Sequence, residues 1–225
     1  MLVGTAPEGA PVLVKVWPRR PNAKDEDLQE IWHHELRQLH RLAGYPGSYE
    51  VIAHLLRAGI DDKGFYLILD LGQRSVLSTI LAQGGLAHWL NQPRLDSNRL
   101  LLWQNLKRLC AAIEILHSQG LLHRKLDAWS VLTSGAKEAD FQLTGFEWAV
   151  RLTSEKPAKR PSAVGSDNDN YSFKHDWLLF ALLASDLLGA KRDRILDLRV
   201  APFEVADHLL VEEVRVLRAC PRGYC

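Results

Sequence analysis

The sequence predicts an α+β fold in which a few strands and one helix come first and helices make up most of the rest. Three features predict it. Before residue 72 the apolar residues lie in short β-branched or aromatic runs closed by turn residues, which is strand chemistry. One amphipathic segment, residues 25–43, interrupts them. After residue 72 apolar residues recur mostly at three and four, the helical period. Strands first and helices afterwards suggest two subregions, 1–72 and 73–225.

Residues 1–4 and 12–17 form a hairpin around the turn residues 5–10. Lys15 is the only charge in its second strand. Pro18, Pro21 and Asn22 then break the chain. The helix over 25–43 opens with Asp25, Glu26 and Asp27, which suit the positive end of its dipole, and stops at Gly44 and Pro46. Leu28, Ile31, Trp32, Leu39 and Leu42 form one apolar stripe, and Glu35 falls on it. A carboxylate on an apolar face costs free energy unless it finds a positive partner. Residues 51–60 and 65–71 read as two strands joined by the turn 61–64. A short helix follows over 75–81, then a loop with a helical fragment over 82–96. Residues 98–119 are a helix closed by Gly120, with Leu102, Leu106, Leu109, Ile113 and Leu116 on one face. Two extended pieces come next, 121–132 and 141–149. Residues 153–172 are a long polar loop, and 176–188 an apolar helix closed by Gly189. One more amphipathic helix spans about 202–219, before a tail without structural signal.

Composition narrows the function classes. Lys plus Arg is 28 and Asp plus Glu is 27, a formal charge of +1, which argues against a basic surface for nucleic acid or anionic lipid. No run of about 18 apolar residues exists, so no membrane helix is expected. The three cysteines, Cys110, Cys220 and Cys225, are odd in number and lack a CxxC spacing. A disulfide framework or structural zinc is therefore not expected, and a reducing cytoplasm is the expected compartment. His33, His34 and His40 with Glu35 do not make the His-Glu-x-x-His zinc pattern, because Gln38 occupies its last position. The seven tryptophans sit beside apolar positions and read as core or interface anchors.

Several segments, in their order, resemble a eukaryotic-type protein kinase domain. Val12-Leu13-Val14-Lys15 is similar to that family's Val-Ala-Ile-Lys strand. Glu35 stands where the following helix supplies the pairing glutamate. Asp70-Leu71-Gly72 resembles the hinge. His123-Arg124-Lys125-Leu126-Asp127-Ala128-Trp129-Ser130 is similar to the catalytic loop His-Arg-Asp-Leu-x-x-x-Asn, and Gly145-Phe146-Glu147 to Asp-Phe-Gly. Asp176-Trp177 resembles the start of the large helix of the lower lobe. The resemblance implies a two-lobed fold over roughly residues 1–190, with a small antiparallel sheet and one helix in the first lobe and a mainly helical second lobe. Against the family the chain looks truncated at both ends: the Gly-rich phosphate loop has no counterpart, and the last helices look short.

The departures decide the expected chemistry. Lys125 replaces the catalytic acid, Ser130 the metal-binding Asn, and Gly145 the metal-binding Asp. Phosphoryl transfer depends on positioning and on charge neutralisation by metal ions that need hard oxygen ligands. Losing the general base alone costs roughly 10²–10⁴ in rate. Asp127 and Glu147 are candidate substitute acids, each two residues on. A displacement of two residues is about 6–7 Å in extended chain, far more than catalysis tolerates. The resemblance therefore implies a pseudokinase: a protein-interaction or regulatory module with an unidentified protein partner. ATP would bind weakly through Lys15, Glu35 and the hinge residues Asp70, Leu71 and Gly72, and magnesium is not expected. Two rival expectations are a divergent phosphotransferase using Asp127 or Glu147, and a fragment of a larger kinase-domain protein. His123 and Asp176 read as retained architecture, and Phe146 as core. Ser154, Ser162, Ser166, Tyr171 and Ser172 lie where an activation segment would carry phosphosites.

Overall fold

A computed structural model describes residues 2–5, 9–19, 24–152 and 172–222. Strands β1 (Leu2–Thr5) and β2 (Pro11–Pro18) form the expected hairpin, with Leu2 opposite Val14. Helix α1 (Asp25–Ala43) has the expected bounds and ends at Gly44. A one-turn helix, α2 (Ser48–Val51), precedes β3 (Leu55–Asp61) and β4 (Gly64–Asp70). These four strands make one antiparallel sheet in the order β1-β2-β4-β3. Strand alternation sets its two faces. Lys15 is opposite Leu67 and Leu13 opposite Leu69, so Leu13, Lys15, Phe65, Leu67 and Leu69 share a face, and all five are buried. On that side lies α1, whose Trp32 indole donates to the Tyr66 carbonyl at 3.0 Å.

The remainder is mainly helical. It runs through β5 (Ser75–Val76), α3 (Leu77–Gln83), a 3₁₀ turn at Trp89–Asn91 and the long helix α4 (Asp96–Ser118). Four two- or three-residue strands follow: β6 (Leu121–Leu122), β7 (Val131–Thr133), β8 (Gln142–Leu143) and β9 (Val150–Arg151). A 3₁₀ turn, Phe146–Trp148, sits between the last two. Helices α5 (Phe173–Leu187), α6 (Arg192–Leu196), α7 (Pro202–Val205) and α8 (Val211–Ala219) complete the described chain, with a final turn at Cys220–Arg222. The fold is thus mixed α+β, a small antiparallel sheet with a helix on it and a helical part beyond. Buried apolar residues form one continuous cluster running from Leu13 to Cys220. Among the described residues no helix is long and apolar enough to cross a membrane.

Several sequence expectations need correction. The first strand of the second hairpin begins at Leu55 rather than residue 51. Gly47, at φ +79, turns the chain into α2, and residues 52–53 then bond to Leu143 instead of joining the sheet. On α1, Ile31 is exposed while Gln38 is buried, so the apolar stripe is rotated toward Glu35. The helix expected over 202–219 is two helices. Residues 206–210 leave helical geometry, His208 bonds the Leu188 carbonyl at 2.7 Å, and the Glu213 carboxylate accepts from the Leu210 N–H at 2.6 Å to start α8. Trp32, Trp89 and Trp177 are core, but Trp129 and Trp148 are 63% and 53% exposed and anchor nothing in the core. Cys110 is a free, half-buried thiol whereas Cys220 is disulfide-bonded, a bond that cysteine count and spacing do not register. The loop expected over 153–172, with Ser154, Ser162, Ser166 and Tyr171, lies outside the described residues except for Ser172.

Candidate functional site

Lys15 is the centre of the site. Strand β2 puts it on the face covered by α1, and α1 puts Glu35 on the stripe that meets that face. Its Nζ donates to Glu35 Oε1 and Oε2 at 2.6 and 2.7 Å. A third bond, also 2.6 Å, goes to Glu147 Oε2, 132 positions along the chain. An ammonium has three donors, and here all three meet carboxylate oxygens. Glu35 is fully buried and Lys15 nearly so, while the Glu147 side chain keeps 21% of its exposure.

Local backbone explains how Glu147 arrives. Gly145 sits at φ +86, a conformation that favours glycine, and the chain reverses there into the Phe146–Trp148 turn. A glycine at position 145 therefore suits this turn. Phe146 is fully buried against the His123 ring, with centroids 5.4 Å apart, and its N–H donates to Glu35 Oε1 at 3.3 Å. His34, one position before Glu35, bonds the Ala149 carbonyl.

Burial pushes the Glu35 carboxyl up to about 7; Lys15 opposes the shift and Glu147 adds to it. Burial acts on Glu147 in the same upward sense, but Lys15 outweighs it and holds that carboxyl below its ordinary value. The cluster thus contains one cation and two acids of opposite tendency.

A second polar cluster surrounds the loop after β6. Asp176, fully buried in the first turn of α5, accepts from the His123 and Arg124 N–H groups, both at 2.7 Å, and from His117 at 3.0 Å. This is the architectural role expected of it. Arg124 lies at φ +69, the only described non-glycine residue in that region. His123 is fully buried, and its Nε2 bonds the Thr144 carbonyl at 2.9 Å. Burial lowers the His123 pKa, which keeps the ring neutral at pH 7. Burial works against the Asp176 carboxylate, but His117 and the two backbone N–H groups win and lower its pKa.

The two candidate substitute acids are both committed. Asp127 Oδ1 accepts from the Trp129 and Ser130 N–H groups at 2.8 and 3.1 Å. Ser130 Oγ in turn donates to the Asp127 carbonyl at 2.8 Å and accepts from its N–H at 2.9 Å. These two residues close their own loop. Glu147 faces Lys15. The Lys125 ammonium lies 5.5 Å from the Trp148 ring centroid, within cation–π range.

The expected hinge is also engaged internally. The Asp70 N–H donates to the His54 carbonyl at 2.8 Å, Leu71 N–H to the Pro11 carbonyl at 3.4 Å, and Gly72 N–H to Asp70 Oδ1 at 3.0 Å. Leu71 is buried. Asp70 borders a cleft of about 320 Å³ with Tyr49, Arg74 and Arg108, whereas Glu147 and Arg124 border a separate one of about 440 Å³ beside α1. The structure thus unites Lys15, Glu35 and Glu147, and leaves Asp70–Gly72 in a different setting. Among the described residues no group of three or more His, Cys, Asp or Glu could hold a metal ion.

Sequence reasoning missed Asn105, which is fully buried in α4. Its Oδ1 accepts from the Asp140 and Phe141 N–H groups at 2.9 and 3.0 Å, and its amide donates to the Leu101 and Glu138 carbonyls. The available signal was an Asn, flanked by Leu102, Leu106 and Leu109, inside the apolar face of a helix. No known family model matches the chain, and no curated protein matches it.

Proposed function

We propose that this chain is a protein-kinase-like domain that has lost phosphoryl transfer and acts as a regulatory or protein-interaction module. The order of elements supports the family reading, as do the Lys15–Glu35 pair and the hold of Asp176 on the backbone beside His123. One observation carries the loss of catalysis: all three donors of Lys15 are taken by carboxylates of this chain, Glu147 among them. A nucleotide phosphate would have to displace one of them. Positions 125, 130 and 145 add no carboxylate, being Lys, Ser and Gly. The internally bonded N–H groups of residues 70–72 count further against tight adenine recognition. The rival enzyme reading needs Asp127 or Glu147 free to act, and each is held by other groups.

Thermal-shift titration with ATP, with and without magnesium, tests the proposal. The expected result is a small shift at millimolar ATP that magnesium does not enlarge. ATP turnover is expected to equal background and to be unchanged by Lys15→Ala. A magnesium-dependent shift with Lys15-dependent turnover would overturn the reading in favour of a divergent phosphotransferase.

A further inference from the structure

Three ionisable side chains, Lys15, Glu35 and His34, bond the 146–149 segment. Lys15 Nζ holds Glu147, Glu35 Oε1 accepts from the Phe146 N–H, and His34 bonds the Ala149 carbonyl. Two carboxylates lie within 2.6–2.7 Å of the same nitrogen, so they are close to each other. With both ionised the cluster carries one net negative charge in a buried place, which is costly. With one proton added, ammonium, carboxylate and carboxylic acid are neutral together. Coupled acids of this kind titrate as a unit.

Neighbouring elements bring charges of both signs to the cluster. From the loop after β6 come Arg124, which borders the same cleft as Glu147, and neutral, buried His123. Lys125 lies over Trp148 rather than on a carboxylate. From α1, Glu30 borders the cleft and adds negative charge.

We propose that Lys15, Glu35 and Glu147 form a proton-operated latch, which holds the 146–149 turn against α1 while the cluster keeps an extra proton and releases it when that proton leaves. Glu35 is fully enclosed, so Glu147, the more exposed acid on a short turn, is the group that moves. Burial places the titration of Glu35 at about 7, so the latch is closed below neutrality and loosened above it. The latch does not depend on whether the cluster ever contacts a nucleotide.

Trp148 follows Glu147 directly and reports on the turn. The indole N–H resonance of Trp148, assigned with Trp148→Phe, is followed from pH 5.5 to 8.5 in the full chain. The expected result is a shift with a midpoint about 7. Glu35→Gln removes the transition and keeps the resonance at its low-pH position. Glu147→Ala holds it at its high-pH position throughout. Glu147→Gln, which preserves shape, also abolishes the transition and serves if Glu35→Gln does not fold. His34→Gln leaves the midpoint in place. A flat wild-type titration, a transition that survives in Glu147→Gln, or one that vanishes in His34→Gln would each overturn the latch. ATP turnover plays no part in these outcomes, so the latch and the proposed loss of catalysis fail separately.

Discussion

Two of the buried carboxylate clusters solve the same problem differently. At the sheet, Glu35 and Glu147 share one ammonium. At the start of α5, Asp176 is satisfied by two backbone N–H groups and a histidine. The first cluster balances charge with charge, and one carboxylate is in excess. The second holds its charge with two fixed backbone dipoles and one imidazole.

Replacing the cation should give the largest effect. Lys15→Met leaves two acids without a counter-ion and is expected to cost about 3–5 kcal/mol at pH 8, the range for breaking a buried pair. The loss should shrink at pH 5, where the native state of the variant can protonate both acids. Urea unfolding at the two pH values checks it, and an equal loss at both would break the contrast between the clusters.

Asp176→Ala should come next, at roughly 2–4 kcal/mol, because two buried N–H groups lose their acceptor. The cost is expected to be nearly the same at pH 6.5 and 8. The wild-type pH profile sharpens the comparison further. Glu35 keeps a proton in the folded state that the unfolded chain releases near its ordinary value of 4.5, so this group lowers stability as pH rises from there to about 7. Asp176, with a depressed pKa, contributes stability above its ordinary value of 3.8 and loses it as pH falls further. Neutral His123 acts in the same sense, losing stability as pH falls below its ordinary 6.5. Denaturant midpoints from pH 3 to 8 should therefore peak in mildly acidic solution. In Glu35→Gln the decline from there toward neutrality should disappear.

His117→Phe should cost less, about 1 kcal/mol, for it removes one hydrogen bond to Asp176. The ring contacts to Phe173 and Trp177, with centroids 4.4 and 5.7 Å away, would remain. The smallest effect is expected for Trp129→Ala, within about 0.5 kcal/mol, since that side chain is 63% exposed. A larger loss by thermal unfolding would mean that Trp129 packs more than its exposure indicates.

Much of the fold was legible because local chemistry and tertiary packing agreed. Three acids, an amphipathic period and a terminal glycine define α1 to the residue, and Glu35 on its apolar face demanded a cation that Lys15 supplies. The backbone-capping role of Asp176 was legible only through the family resemblance. Where they disagreed, the reading failed. Residues 202–219 keep a helical period, yet the bonds of His208 and Glu213 break the helix. Residues 51–53 look like strand, but Leu143 captures their backbone. The Glu147 contact to Lys15 spans 132 positions and depends on the left-handed backbone at Gly145, so no local pattern announces it. The hold of Asp127 on its own loop is by contrast a local turn of the kind Asp favours, which the sequence reading passed over.

The bidentate hold of Asp176 has a mechanical consequence. Its two oxygens grip consecutive amides, one of which belongs to the left-handed Arg124. Helix α5 and that loop are therefore geared together like a lever and its fulcrum. A torque on α5 that displaces its first turn must either twist the arginine out of its unusual torsion or break the grip, so traction through this carboxylate is delivered to two adjacent peptide units.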